Sequence, residues 1–186
     1  MPAAIRALTH GDTPIDGFIA PGHVATVTVS DLFASLADEL HKPFAVAGFT
    51  PPSLLAAILW LTRRVGSGEC ANFYPSAVTS LGNVEAMERV DRYFAPSDAA
   101  WRGLGVIEES GLCLREEFAH LDAGSKSLAE DKLPAGCHCG KVIAGAIAPC
   151  ECPLFGKVCT PETPVGACMV SMEGACYHHY INDRQF

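Results

Sequence analysis

The chain has 186 residues, of which 49% are hydrophobic and 18% charged, and its net charge at pH 7 is −8. This composition is typical of a globular protein, and the length is sufficient for one full core and a small additional unit. The acidic balance gives no electrostatic reason to bind nucleic acid or an anionic membrane, so we expect neither partner.

The start of the chain, Met1–Gly17, lacks the basic and apolar segments of a signal peptide. The longest apolar run, Leu54–Leu61, is too short to span a bilayer. We therefore expect a soluble, cytoplasmic protein. Because thiols are kept reduced in that compartment, the nine cysteines predict metal binding or redox chemistry rather than a disulfide framework.

The cysteines divide the chain into two predicted units. Only Cys70 and Cys113 precede residue 130, and the last third holds Cys137, Cys139, Cys150, Cys152, Cys159, Cys168 and Cys176. We predict an α/β unit over residues 1–129 and a small, irregular cysteine-rich unit over residues 130–186.

The first unit begins with a predicted buried strand at Ile15–Ala20, followed by a turn at Pro21-Gly22. A helix is expected over Asp31–His41, with Ser30 as its N-cap and an apolar face of Leu32, Leu36 and Leu40. The run Phe44–Phe49 predicts the next strand.

Two more helices and a strand follow in the predicted order. Thr50 is expected to cap a helix that tolerates prolines in its first turn, and its apolar stripe is Leu54, Leu55, Ile58, Leu61 and Val65. Cys70–Tyr74 predicts a third strand. Asn83 is expected to cap a third helix, with Val84, Met87 and Val90 inward and Glu85, Glu88, Arg89 and Arg92 outward. This alternation indicates an α/β fold with a parallel, helix-covered, Rossmann-like sheet.

Loops after the carboxyl ends of such strands commonly carry functional groups. Here they are Pro21-Gly22-His23 and Gly48-Phe49-Thr50. A histidine in a turn is more often structural than a ligand, and Trp101-Arg102 is interpreted as a packed aromatic with an ion-pairing neighbour. Because no glycine-rich phosphate loop or Ser/His/Asp grouping is present, enzymatic activity of this unit is the least favoured interpretation.

The cysteine-rich unit has the spacing C-x-C-x10-C-x-C-x6-C-x8-C-x7-C. It lacks the paired C-x2-C hooks of structural zinc sites, whereas separate cysteines in a Gly/Pro-rich segment suit an iron-sulfur cluster. Within a C-x-C pair, one sulfur can bind a cluster while the other stays a free thiol or half of a disulfide. Zinc and a labile disulfide set remain open alternatives.

The glycines of this unit would let backbone N–H groups approach an iron-sulfur cluster, and its apolar residues would shield the cluster from water. The glycines are Gly140, Gly156, Gly166 and Gly174, and the expected shield against water is Leu154, Phe155, Val158, Val165, Met169 and Val170.

The segment CHCGKVIAGAIAPCECPLFGKVCTPETPVGACMVSMEGAC, Cys137–Cys176, resembles the C-terminal signature of the HypD family of hydrogenase maturation factors. IDGFIAPGHV, VAGF, GN, WRGLG and SGL resemble the same family in the same order. The resemblance covers nearly the whole chain but only about the C-terminal half of a typical member.

The resemblance implies a [4Fe-4S] cluster bound by Cys137, Cys152, Cys159 and Cys176. It also implies a redox-active pair formed by Cys139 and Cys168. Cys150 lies outside the family pattern, and Cys70 and Cys113 are expected to be core or surface thiols.

The resemblance further implies work with a HypC-like chaperone, and with a HypE-like protein as a further candidate, on the Fe(CN)2CO group of [NiFe]-hydrogenase. In that setting Gly22, His23, Gly48 and Phe49 would line the cleft that faces the iron. The family's N-terminal domain with its cysteine motif has no counterpart in these residues, so a separate chain that supplies it is a candidate partner.

Four positions depart from the family pattern, at Thr50, Ser53, Ser76 and Met172. These departures, with the missing domain, leave an alternative function: a non-catalytic interaction module stabilised by zinc or disulfides.

Overall fold

The computed structural model describes residues 1–11, 13–28, 30–101, 103–124 and 133–183. The predicted boundary between the two units, at residues 129 and 130, lies outside these ranges, as does Arg102 of the predicted Trp101-Arg102 pair.

A three-stranded parallel sheet forms the centre of the first unit. Its strands are β1 (Phe18–Pro21), β2 (Phe44–Ala47) and β3 (Cys70–Asn72), in the order β1-β2-β3. Every residue of β2 is buried, because β2 has a strand on each side and helices over its faces. The predicted α/β fold with a parallel, helix-covered sheet is confirmed.

Two helices follow β1. The short α2 (Gly22–Ala25) is continuous with the strand, and α3 (Asp31–Leu40) packs Phe33, Leu36 and Ala37 into the core. Of the predicted face, Leu36 is fully buried while Leu32 and Leu40 are half-buried. The predicted Ser30 cap is wrong, because its hydroxyl lies 3.4 Å from the Asp31 carboxylate and accepts no backbone N–H.

Helix α4 (Pro51–Thr62) connects β2 to β3 and begins after Thr50, with Pro51 and Pro52 in its first turn. Thr50 occupies the predicted cap position, but its side chain accepts no backbone N–H. Leu54, Ala57 and Leu61 pack beside the sheet. Leu55, Ile58 and Val65, which were also predicted to face inward, are 67%, 47% and 58% exposed. The prediction was wrong for Leu55 and Ile58 because the narrow sheet covers only one side of this helix, and it was wrong for Val65 because the helix ends at Thr62.

Helix α5 (Val84–Tyr93) has the predicted cap: the Asn83 carboxamide oxygen accepts the Ala86 N–H at 3.0 Å. The predicted outward residues Glu85, Glu88, Arg89 and Arg92 are exposed. Val84, predicted to face inward, is 54% exposed, while Met87 and Val90 are half-buried.

An antiparallel hairpin that the sequence analysis did not predict follows α5. It consists of β4 (Phe94–Trp101) and β5 (Gly105–Leu114), and α1 (Pro2–Thr9) packs against β5. The Trp101 indole N–H donates to the Ser110 hydroxyl at 2.7 Å. Pro96 and Gly111 within the strands weaken the usual strand signals, because both residue types disfavour strand interiors.

The described part of the cysteine-rich region, residues 133–183, consists of short helices joined by turns, with one isolated β-bridge between Phe155 and Cys159. After a 3-10 helix at Glu116–Leu121 come α6 (Cys139–Ile143), a 3-10 turn at Pro149–Glu151, α7 (Ala167–Val170) and α8 (Ala175–Asp183). The predicted irregular region is therefore built around short helical segments. None of the helices among the described residues has the length and apolarity required to cross a bilayer.

Candidate functional site

The core of the cysteine-rich region is made largely of sulfur. Cys139, Cys159, Cys168 and Cys176 are each less than 8% exposed and form one buried cluster with Val142, Met169 and Tyr180. Cys137 is half-buried and packs against this cluster, and Cys152 is 8% exposed. Three short helices supply the positions: α6 begins with Cys139, α7 carries Cys168 and α8 carries Cys176.

Cys139 and Cys168, the predicted redox pair, are in direct contact. Their Sγ atoms lie 2.9 Å apart, and the Cys168 backbone N–H donates to the Cys139 sulfur at 3.4 Å. The hydrogen bond to Cys139, together with burial, raises the pKa of the Cys168 thiol far above its ordinary value. The geometry thus favours a neutral Cys168 thiol directly against the Cys139 sulfur.

The thiols of the predicted cluster ligands are close enough for their charges to shift one another's pKa values. Burial raises the pKa of the Cys137 thiol, and negative charge on Cys139, Cys152 and Cys159 raises it further. Burial and the same three sulfurs raise the pKa of Cys176 to about 11. Bringing several thiolates together without a cation is unfavourable, and a bound metal centre reverses this by stabilising the thiolate forms.

Two further observations fit an iron-sulfur cluster at these thiols. A Cβ atom on Gly166 would lie 2.6 Å from the Cys137 sulfur, so only glycine leaves room for that sulfur. The Val165 N–H donates to the Cys159 sulfur at 3.4 Å, a contact of the kind that tunes cluster sulfurs. Among the described residues, however, no group of three or more His, Cys, Asp and Glu side chains is placed so that it could hold a metal ion.

The apolar shield around the thiols is partly as predicted. Leu154, Phe155, Val165 and Met169 belong to the cluster or pack against it. Val158 and Val170 are 60% and 54% exposed, so the prediction that they shield the site is wrong. Val158 directly precedes the buried Cys159, and Val170 ends helix α7.

The remaining cysteines lie outside this cluster. Cys150 and Cys113 are exposed, and Cys70 is half-buried in β3.

The hairpin turn between β4 and β5 contacts the start of α6, a feature the sequence analysis missed. Gly103 has a positive φ of 88°, and a Cβ atom on Gly140 would collide with the Gly103 carbonyl oxygen. Since Gly140 follows Cys139 directly, the turn lies beside the thiol pair. The WRGLG pattern marked this turn in the sequence without revealing what it contacts.

The predicted cleft residues meet at the carboxyl ends of β1 and β2. The rings of His23 and Phe49 have centroids 5.2 Å apart and are tilted by 30°, and Phe49 is 72% exposed. A Cβ atom on Gly22 would lie 2.7 Å from a ring carbon of Tyr74, and one on Gly48 would lie 3.2 Å from the same ring. The two glycines therefore allow both loops to rest on Tyr74.

Polar residues missed by the sequence analysis hold this edge of the sheet together. The Ser53 hydroxyl accepts the Gly48 N–H at 3.1 Å and donates to the Phe73 carbonyl at 3.0 Å. The Asn72 side chain accepts the Tyr74 N–H at 2.8 Å and donates to the Val78 carbonyl at 3.1 Å. The available signal was their position, with Asn72 at the end of strand β3 and Ser53 in the first turn of α4.

Fold and site together define a class of protein: a parallel α/β unit followed by a compact core of buried thiols. A family model described as the hydrogenase formation hypA family, HypD, matches residues 1–183. The chain therefore belongs to the HypD family, whose curated members include hydrogenase maturation factors.

Three relatives illustrate the match. The hydrogenase maturation factor HypD1 of Bradyrhizobium diazoefficiens is 44% identical over 180 residues, which are 94% of this chain and 47% of the relative. HypD of Rhizobium leguminosarum bv. viciae is 44% identical with the same coverage, and HypD of Escherichia coli is 36% identical over 97% of this chain and 50% of its own length. The chain spans about half the length of the curated relatives it matches.

Proposed function

We propose that this chain is a redox-active [4Fe-4S] protein of hydrogenase maturation. Cys137, Cys152, Cys159 and Cys176 would hold the cluster, and Cys139 with Cys168 would form the dithiol. The observation that carries the proposal is the 2.9 Å contact between the Cys139 and Cys168 sulfurs. It lies inside a buried core that also contains Cys159 and Cys176, with Cys137 packed against it.

A [4Fe-4S] cluster supplies single-electron transfer at a potential set by burial and by hydrogen bonds to its sulfurs. The thiol pair supplies two electrons. When Cys139 and Cys168 join, one S–S bond forms, and two electrons and two protons pass to the group being reduced. Two electrons from a low-potential donor and two protons then restore both thiols.

The surrounding residues exclude water from the dithiol and hold its sulfur atoms in position. Burial of both sulfurs excludes water, and the Cys168 N–H fixes the position of the Cys139 sulfur. Gly166 leaves the space that the Cys137 sulfur occupies. The dithiol can therefore open and close with little movement of its neighbours.

In the pathway of its relatives, the chain would act with a HypC-like chaperone and a HypE-like protein during assembly of the Fe(CN)2CO group. The exposed His23 and Phe49 would face the iron carried by the chaperone, and the buried Gly22 and Gly48 would hold their loops against Tyr74. The polypeptide corresponding to the family's N-terminal half would complete this scaffold. Support for these partners comes from family membership and from the exposed His23–Phe49 face.

Metal content tests the cluster. Protein purified without oxygen should be brown and contain about four irons and four sulfides per chain. Cys152→Ser should lose most of the iron, while Cys150→Ser, a matched change at an exposed cysteine, should keep it. A colourless protein that binds zinc with the same thiols would instead support a zinc- or disulfide-stabilised interaction module, the second candidate, which the fully buried thiol core also favours.

Differential alkylation tests the dithiol. Mass spectrometry should find a Cys139–Cys168 link after mild oxidation, and a dithiol reagent should remove it without loss of iron. Cys113→Ser, at an exposed thiol, is the control that should leave the link unchanged. Independent alkylation of Cys139 and Cys168 under every condition would reject the assignment.

A further inference from the structure

Helix α4 has no charged residue anywhere between Pro51 and Thr62 (PPSLLAAILWLT). Helix α5 is different, because its outer side carries Glu85, Glu88, Arg89 and Arg92. A helix that is apolar on all sides is normally buried on all sides. Within the part of the chain that the structure describes, the covered side is the one with Leu54, Ala57 and Leu61.

The uncovered side of α4 is a continuous apolar surface. Leu55, Ile58 and Leu59 are 67%, 47% and 53% exposed, and their spacing places them together on one face. The surface continues into a groove of about 340 Å³ lined by Ala56, Leu59, Trp60, Arg63, Arg64 and Phe73. Contiguous exposed apolar surfaces of this kind commonly mark interaction sites.

Two arginines mark one end of this surface. Arg64 is paired with Glu69 at 3.2 Å and lies 5.8 Å from the centre of the Trp60 ring. Arg63 is exposed, and its guanidinium makes no ion pair or hydrogen bond within the described residues. A complementary partner should therefore present an apolar helix or strand face with an acidic residue at one end.

We propose that the outer face of α4, meaning Leu55, Ile58, Leu59 and the adjoining groove, docks the polypeptide that corresponds to the half of the HypD relatives that this chain does not span. The matched relatives are about twice the length of the aligned region, so members of the family carry that much additional protein. A second copy of this chain is a poorer occupant, because each copy has a net charge of −8 and the copies repel one another. The inference develops the partnership with that half stated above and does not depend on iron-sulfur chemistry.

Binding between separately produced halves tests the proposal. The probe is the N-terminal half of the Rhizobium leguminosarum relative, and that relative's own C-terminal half is the positive control. The 186-residue chain should bind the probe, and the double variant Leu55→Glu/Ile58→Glu should bind about a hundredfold more weakly or not at all. Arg63→Glu should weaken binding by about tenfold and reduce its dependence on salt.

The matched control is Leu81→Glu/Val106→Glu, which makes the same chemical change at residues that are 71% and 69% exposed elsewhere. It should leave binding within about threefold of the parent chain. Circular dichroism checks that every variant folds, and Leu59→Ser provides a milder change should the double glutamate variant unfold.

Three results would overturn the proposal: no binding by the parent chain when the positive control binds, equal losses in the two double variants, or self-association that only the α4 variants abolish. The iron content of each variant is measured in parallel. A colourless chain that still binds through α4 would refute the proposed cluster and retain this docking surface, so the two failures are distinguishable.

Discussion

The sheet unit and the cysteine-rich region have cores made of different residue types. The sheet unit has a carbon core in which Phe33, Leu36, Phe44 and Val46 are at most 1% exposed. The core of the cysteine-rich region contains four buried cysteines, and its helices α6, α7 and α8 have five, four and nine residues. Helices of that length are unstable alone. Apolar burial stabilises the first region. Under the proposed function, the second region would depend on the cluster held by its thiols.

Removal of iron by a chelator should produce the largest difference in amide protection between the two regions. We expect amide protection to be lost throughout residues 137–183 and retained in β1, β2 and β3, because only the former rely on the proposed cluster. Hydrogen exchange read by mass spectrometry measures both regions in one sample. Equal loss of protection in the two regions would contradict the comparison.

Phe44→Ala should have the reverse effect. Phe44 is fully buried at the centre of the sheet and stacks on Phe18 with centroids 4.7 Å apart. Its truncation should cost about 3–5 kcal/mol of the free energy of unfolding, measured by urea denaturation of the sheet unit. Phe49→Ala, at a residue 72% exposed, is the matched control and should cost less than about 0.5 kcal/mol.

Gly166→Ala should weaken the cysteine-rich region alone. The added Cβ would meet the Cys137 sulfur, so we expect a cost of about 1–3 kcal/mol and a reduced iron content. Gly156→Ala is the control: its φ of 67° strains an alanine, but its added Cβ meets nothing within 4 Å. That variant should lose stability and keep its iron, and iron loss in both would show that the Cys137 contact is not the cause.

Asn83→Ala should destabilise α5 by about 1 kcal/mol, because it removes the acceptor for the Ala86 N–H. Ser30→Ala, at the start of α3, should change stability by less than about 0.5 kcal/mol, since Ser30 accepts no backbone N–H. Urea midpoints of the two variants measure the difference. Equal losses would show that the cap bond of Asn83 contributes nothing beyond the residue's conformational preference.

Alkaline pH should produce the smallest of these effects, a loss of stability in the sheet unit. Burial, and to a lesser degree the Asp31 carboxylate, raises the pKa of the Cys70 thiol from 9.0 to about 11. Because the folded state holds this proton more tightly, its contribution is complete below pH 9 and is lost as the pH rises through about 11. Urea midpoints from pH 8 to 11 should fall less steeply for Cys70→Ala, and parallel curves would contradict the prediction.

The sequence predicted the parallel α/β fold because strand and helix periodicities alternate regularly and because caps such as Asn83 are local. It did not predict the hairpin, because Pro96 and Gly111 within the two strands weaken the strand signal. It also misjudged Leu55 and Ile58, because an apolar pattern shows that a residue can be buried without showing whether anything covers it.

For the candidate site, sequence and resemblance selected the six cysteines. The structure buries five of them and leaves Cys137 half-buried. The roles assigned to them remain predictions.

The sequence by itself determined the alternating α/β pattern, the cysteine-rich region and membership of the HypD family, because these follow from residue types and local spacing. Only the tertiary structure decided that Cys139 touches Cys168, that Gly103 rests on Gly140, and that one side of α4 is left open. Each of these depends on which distant segments come together, and contacts over long sequence separations are set by packing of the whole chain.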